Sequence, residues 1–339
     1  MEIYTNNTKA IITALSPLSH GRIPGLKERS GTGENNILHF RTMPFLYKEV
    51  GNESNYLEKD IYCVSGNAMR GLGRRLLFHH TFEDVLDLNF DAILNDFSAV
   101  QRRYVINLFE NGGSTPKDSK SSGNVPAATY DKVLQDIPFL DLLGGVYITH
   151  HFDGSAVIGN LILRTKETYE LLKKLFPDDA DRLPALEDIK IDTVRHTKRQ
   201  SPRDASAFSS AEDAETKANL KSASIYGIDV LPAGSTFYWM CGLKNTKNKG
   251  TALAYKAMLA LIARHGLIGG MTAKGYGMAR FDFLDDFDIE KSIDEYDQYL
   301  RDNRDAVIEG IKLLAGDFKY MLKTADKKEK KEKDVKKDA

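Results

Sequence analysis

Apolar residues along this chain fall into short runs with two periodicities. Lys9 to Leu15 (KAIITAL) is β-branched and apolar and predicts a first strand. Asp60 to Val64 predicts a short strand leading into Ser65. From Ser65 to His79 the period changes. Met69, Leu72 and Leu76 recur three and four apart, which predicts a helix capped by Ser65. Val146 to Leu163 alternates polar and apolar residues about Asp153-Gly154, the pattern of a β-hairpin. Lys166 to Phe176 predicts an amphipathic helix. Thr236 to Cys241 predicts a strand after a turn at Pro232 to Gly234, Ala252 to His265 a helix, and Met278 to Phe283 a strand. A last helix is expected to run to about Leu322. Strand, helix, hairpin, helix and strand suggest an α+β chain on a βαββαβ, ferredoxin-like sheet.

Four segments interrupt that order. Residues 16–59 are rich in Gly, Ser, Asn and Pro and too long for an ordinary connection, so they form a functional loop or hold small elements of their own. Phe82 to Leu143 reads as a mainly helical insertion around a polar linker, Asn111 to Ala128, that carries Lys117 and Lys120. Ile191 to Ile225 has weak periodicity and gathers Arg195, His196, Lys198, Arg199 and Arg203, then Lys217 and Lys221, so it reads as a basic excursion. The tail from Asp326 mixes Lys, Glu and Asp with almost nothing apolar and is expected to be disordered. The expected division is 1–80, 81–145, 146–190, 191–225, 226–322 and 323–339.

Composition narrows the classes. With 339 residues, 42% of them hydrophobic, the chain can bury a sizeable core. A net charge of -1 argues mildly against a stand-alone nucleic-acid binder, yet a basic face balanced by acidic helices fits the same total. Cys63 and Cys241 are the only cysteines, and their spacing fits no metal motif. With no signal pattern and no apolar run long enough for a bilayer, a soluble, cytoplasmic protein is expected.

The candidate chemistry centres on Leu267 to Phe283 (LIGGMTAKGYGMARFDF), where Gly269, Gly270, Gly275 and Gly277 fall within nine residues beside Lys274 and Arg280. Such backbone lets another chain approach closely, and its N–H groups can cradle an anion. A P-loop is excluded, because Tyr276 stands where Lys is required. A dinucleotide fingerprint would need Gly at Arg280. A phosphate-contacting loop and a tight helix-to-strand connection both remain. In the first helix, Arg70 and Arg74 lie four apart beside Asn67 and Gly71, as a basic face or simply a solvated one. The pairs His79-His80 and His150-His151 are expected to be structural or surface histidines rather than a shared metal site, since adjacent residues point apart in helix and strand alike. No nucleophile–base pattern can be assembled, and no metal or cofactor is expected.

Three stretches together resemble a known family. They are Thr13 to Gly21 (TALSPLSHG), Val64 to Arg75 (VSGNAMRGLGRR), and Gly269-Gly270 through Gly275-Tyr276-Gly277. In that order they resemble the RAMP superfamily of CRISPR-associated proteins, and more narrowly the backbone subunits that polymerise along the guide RNA of class one effector complexes. The resemblance implies a modified RNA-recognition-motif palm, a helical insertion, and a projecting β-hairpin thumb corresponding to Ile191 to Ile225. It places Arg70 and Arg74 against guide phosphates, with Arg75, Ser65, Asn67, Gly269, Gly270 and Lys274 in the same surface. His20, on the loop after strand one, is a candidate RNA contact or a satisfied turn histidine. Lys198, Arg199 and Arg203 enter on charge alone.

One departure matters. In target-RNA-cleaving (type III) members, an acidic residue in the loop after strand one carries the cut. The matching stretch here, Asn35 to Arg41 (NNILHFR), has no Asp, and Glu34 is off register. The resemblance therefore lies nearest to type IV and implies a subunit without metal-dependent cleavage. Its partners would be crRNA, copies of itself, other effector subunits and a target nucleic acid, DNA rather than RNA, with no membrane. Two rivals are a ribonuclease subunit using a displaced carboxylate such as Glu34, and a single-copy guide-processing enzyme with His20 as base.

Overall fold

The β-branched runs become strands of one antiparallel sheet, and the helical insertion packs on the helices that cover it. The computed structural model describes residues 4–21, 37–49, 52–115, 125–176, 182–198, 224–244 and 248–317. In chain order the strands are β1 (Tyr4–Ala14), β2 (Ile37–Leu38), β3 (Thr42–Glu49), β4 (Asn52–Val64), β5 (Gly113–Ser114), β6 (Gly145–Tyr147), β7 (His150–Phe152), β8 (Ala156–Ile158), β9 (Leu161–Leu163), β10 (Asp192–Lys198), β11 (Ser224–Val230), β12 (Thr236–Lys244) and β13 (Ala279–Phe283). The helices are α1 (Gly66–Phe78), which continues as a π-helical stretch His79–Val85, α2 (Phe90–Ile93), α3 (Ala99–Asn111), α4 (Ala127–Asp136), α5 (Pro138–Leu143), α6 (Lys166–Leu172), α7 (Lys249–His265), α8 (Ile289–Asp302) and α9 (Arg304–Asp317).

The main sheet runs β13-β1-β12-β9-β4-β3, with β8 also on β12 and every pairing antiparallel. With α1 and α7, the strands β1, β8/β9, β12 and β13 form a βαββαβ sandwich, β1 and β12 central. The chain is thus α+β. Ala10, Ile12 and Ala14 of β1 and Phe237, Trp239, Cys241 and Leu243 of β12 face the helices and join Tyr255, Met258 and Leu259 of α7 in the core. Burying each large apolar side chain contributes about 1.5–3 kcal/mol. The other face carries Arg280, Asp282 and Met240, all exposed, as expected of an antiparallel sheet with one solvated side.

Ser65 caps α1, its hydroxyl accepting the Ala68 N–H at 3.3 Å. Gly73 costs helix propensity because α7 needs the space. A Cβ there would lie 2.9 Å from Met258 Cγ and Sδ. Gly71 has no such neighbour, only Arg75 Nη1 at 3.8 Å, so close approach accounts for one of the two glycines.

Three expectations change. The short strand expected over Asp60 to Val64 is the end of a longer one, β4, which with β3 forms a hairpin reaching back into the 16–59 segment, its register running from Thr42–Tyr62 to Glu49–Asn52. Only Cys63 and Val64 of it pair with β9, so most of the hairpin projects beyond the sheet. The hairpin expected about Asp153-Gly154 does not form. β6 and β7 turn at Ile148-Thr149 in a separate small sheet, and β8 and β9 both pair with β12 across a one-residue register shift at Gly159-Asn160. The last helix is two, broken at Asn303. β10 and β11 pair along their full length, with β2 parallel to β11. Arg199, Arg203, Lys217 and Lys221 lie outside the described residues, as do Glu34, Lys117, Lys120 and the charged tail.

Candidate nucleic-acid interface

After Ala14 the chain leaves the sheet and runs between two turns. On one side Leu18 exchanges two backbone hydrogen bonds with Leu231, at 2.8 and 2.9 Å. On the other it meets the Gly-rich loop: the Gly270 N–H donates to Ser19 O at 2.7 Å, the Gly277 N–H to Pro17 O at 2.9 Å and the Met278 N–H to Ser16 Oγ at 2.9 Å. This approach explains Gly269, and the loop's own neck explains Gly277. Gly269 has φ +77° and Gly277 φ +80°; a Cβ would lie 2.3 Å from Ser19 O at the first and 2.0 Å from Ile268 O at the second. The N–H groups of Gly270 and Gly277 are held inside the protein, and those of Lys274 and Gly275 close a short turn onto Met271 O and Thr272 O. The loop therefore uses Gly269 to pack against residues 16–19 and Gly277 to close on itself. A fully open phosphate cradle is not what it offers.

The next residue ties this loop to α1. His20 Nε2 accepts the Ser65 N–H at 3.1 Å. Burial, with the Arg41 charge as a second cause, pushes the His20 pKa down from 6.5 to about 4, so the ring is neutral. An accepting Nε2 leaves the hydrogen on Nδ1. A general base needs its lone pair within reach of the substrate, and this one is committed to the backbone. The start of α1 is closed in the same way. The Gly66 N–H donates to Asn160 Oδ1 at 2.7 Å, and Ser65, 9% exposed, caps Ala68. Gly270, Ser19, His20 and Ser65 thus form a continuous path across three stretches distant in sequence.

The two arginines of α1 go elsewhere. Arg74 is 7% exposed; its Nη1 donates to Leu108 O at 3.2 Å, and its Nη2 to Leu143 O and Gly144 O, each at 2.8 Å. It also lies over the Phe139 ring, 5.7 Å from the centroid. Desolvation, then Arg70, lowers its pKa to about 10, so it stays charged at neutral pH. Half-buried Arg70 donates from Nη2 to Leu143 O. Against the expectation of two phosphate-facing guanidiniums, both anchor the helical insertion to α1. The reason is local: α3 and α5 end beside α1, where carbonyls near helix C-termini have spare acceptor capacity, and the arginines supply donors to Leu108 O, which also takes the Gly112 N–H, and to Leu143 O and Gly144 O.

The exposed polar residues along this path are Asn67 at the start of α1, Arg75 on its outer side, Arg41, and Lys274 at the tip of the Gly-rich loop. Lys198 ends β10 in the small sheet, away from these contacts in sequence and pairing. Arg280 pairs with Asp282 at 3.0 Å. Among the paired histidines, His80 bonds Asp297 at 2.6 Å and His79 bonds Glu83 at 2.8 Å, so the two rings have different partners. Among the described residues no group of three or more His, Cys, Asp or Glu could hold a metal ion. No helix among them is long and apolar enough to cross a membrane.

Sequence reasoning singled out Asn35 to Arg41 only for its missing Asp and did not count His39 or Arg41 as contacts. Gly21 bridges Phe40, and the Arg41 N–H donates to His20 O at 2.8 Å, which brings residues 39–41 onto the same surface. Phe40 is buried between exposed His39 and Arg41. His39 Nδ1 lies 2.9 Å from Asp229 Oδ2, while Thr193 Oγ1 donates to Asp229 Oδ1 at 2.7 Å. The signal available was the alternation Leu38-His39-Phe40-Arg41; the carboxylate 190 residues away was not legible.

No protein-family model matches the chain, and no curated protein matches it. Solved structures align with it in part. One is a type IV-B CRISPR complex, at 18% identity over 83% of this chain and 91% of that chain, with a TM-score of 0.48. Another is Cmr6 from Pyrococcus furiosus, at 13% identity over 81% of this chain and 97% of that chain, with a TM-score of 0.35. Neither score is high enough to carry an argument about this chain.

Proposed function

We propose that this protein is a guide-RNA-binding backbone subunit of a CRISPR effector ribonucleoprotein, nearest to type IV, present in several copies along a crRNA. The observation that carries the reading is the meeting of the three stretches on which the family resemblance rests. Gly270 bonds Ser19 at 2.7 Å and His20 accepts from Ser65 at 3.1 Å. A surface built from backbone turns and a few cations recognises a sugar–phosphate chain without reading its bases. That suits a subunit that must coat any guide and leave its bases free to pair.

The contacts we assign to RNA are Lys274, Arg41, Asn67 and Arg75, with Gly269 and Gly270 setting the shape of the surface. Arg70 and Arg74 support it from beneath. The subunit itself is non-catalytic in this reading. It works with copies of itself and with other effector subunits on a target reached by guide pairing, DNA rather than RNA.

The test is purification from cells that also express a guide, followed by nuclease treatment and RNA sizing. Protected RNA of defined length, increasing in steps with protein copy number, is the expected result. Recovery of nucleic-acid-free monomer alone would overturn the reading. Regularly spaced, metal-dependent cuts in complementary RNA would overturn its non-catalytic part.

A further inference from the structure

The site after β2 has a geometry that phosphate binding does not require. His39 is 67% exposed at its side chain, and Asp229 behind it is 12% exposed. An ionised carboxylate only accepts hydrogen bonds. One oxygen of Asp229 takes the Thr193 hydroxyl, and the other faces His39 Nδ1. Nδ1 therefore carries the hydrogen, and in the neutral ring Nε2 is an acceptor directed away from Asp229. The orientation is held by three strands: β2 pairs with β11 at Ile228–Leu38, and Thr193 is the cross-strand partner of Asp229 on β10.

Arg41 stands two residues further on. The bridge at Phe40 and the exposed-buried-exposed order of His39, Phe40 and Arg41 describe an extended chain. Residues two apart in such a chain leave on the same side, about 6.6 Å apart. An acceptor and a cation are thus presented together on the surface shared with Ser19, His20 and Gly270.

A phosphate has acceptors only and has nothing to give to an accepting Nε2. A ribose 2′-hydroxyl is a donor, and it is the group that separates RNA from DNA. We propose that His39, oriented by Asp229, accepts a hydrogen bond from a guide 2′-hydroxyl while Arg41 holds a phosphate of the same stretch, so that this pair selects RNA over DNA as the bound strand. The inference rests on the guide-binding reading and adds to it a ribose-specific contact.

The experiment measures binding of the purified full chain to one single-stranded sequence made as RNA and as DNA, at fixed salt. Wild-type protein should prefer RNA by about tenfold, the worth of one hydrogen bond of about 1.4 kcal/mol. His39→Ala should bring RNA affinity down to the DNA level and leave DNA affinity unchanged. Arg41→Ala should weaken both equally. With wild-type protein, RNA carrying single 2′-deoxy substitutions should lose affinity at one position per bound subunit. That readout needs no variant, so a misfolded His39→Ala protein does not remove the test. A His39→Ala protein of wild-type melting behaviour that keeps the RNA preference, or loses RNA and DNA affinity together, overturns the inference and leaves guide binding standing. Failure of wild-type protein to bind RNA at all overturns both.

Discussion

Two sets of cations in this protein do opposite work. Arg70 and Arg74 sit on α1 at helical spacing, the pattern expected of a phosphate-facing stripe, and both turn inward to main-chain carbonyls of the insertion. Arg41 sits in extended chain just before β3 and Lys274 at a loop tip, and both are exposed beside the junction of the Gly-rich loop and the loop after β1. A basic residue in a helix that others pack against is recruited by the nearest unsatisfied acceptors. One on exposed chain between elements has fewer such neighbours and keeps its charge at the surface.

The sharpest way to break this contrast is Arg74→Ala. Three bonds from a charged donor are lost; Leu108 O keeps the Gly112 N–H and Leu143 O keeps Arg70, so the loss falls on the charge-assisted bonds and on Gly144 O, and unfolding stability should fall by about 2–3 kcal/mol in urea titrations. Arg74→Lys should not restore it, because a point charge cannot reach the same acceptors. Wild-type stability with loss of RNA would reverse the roles assigned here. By the same reasoning a combined Arg70→Ala, Arg74→Ala variant reports on folding before it reports on RNA.

Gly269→Ala should come next. A side chain at φ +77° pressed toward Ser19 O is expected to cost about 1–3 kcal/mol and to displace the loop. Gly275→Ala, at φ +84° with nothing within 4 Å of its Cβ, should cost only the conformational strain, about 1 kcal/mol. Equal losses at the two sites would mean that the loop does not pack against residues 16–19 as described.

The third effect is in pH. His20 titrates near 4 in the folded protein against 6.5 ordinarily, so the unfolded chain binds the proton more readily. Its contribution is present above pH 6.5 and is lost as pH falls from about 6.5 toward 4. His20→Gln keeps an acceptor for the Ser65 N–H and removes the titration. The difference between wild-type and variant urea midpoints should therefore change over that window and nowhere above it. A difference independent of pH would show that His20 is not the neutral acceptor described.

The smallest effect is Lys274→Ala. Stability should stay within about 0.5 kcal/mol of wild type. RNA affinity should fall equally for every sequence, and the salt dependence of log K should flatten by about one unit. A sequence-dependent loss would count against a backbone contact.

Much of the sheet and its two covering helices was legible because their apolar spacing is local. α1 was expected from Ser65 to His79 and spans Gly66–Phe78 with Ser65 as cap; α7 and β13 lie within a few residues of their expected limits. The β3–β4 hairpin was not legible. Pro44 and the charges from Lys48 to Asp60 blur the alternation in a ribbon with much of its surface in solvent. β8 and β9 were misread because their partner, β12, lies some eighty residues away. At the site, the glycines that let the loop approach residues 16–19 carried a signal. The His20–Ser65 and His39–Asp229 contacts did not, since nothing in the local sequence marks a histidine as an acceptor or as oriented. Arg74 was misjudged because a buried arginine satisfied only by carbonyls has no acidic partner to betray it.

That absence of an acidic partner has an evolutionary consequence. Arg74 grips oxygen atoms that every amino acid supplies, so the helices it anchors are free to change their side chains, and even to exchange wholesale between relatives, so long as the ends of α3 and α5 return to the same place. The insertion is therefore where divergence should accumulate fastest, with one invariant guanidinium on α1 as the peg on which each new version hangs.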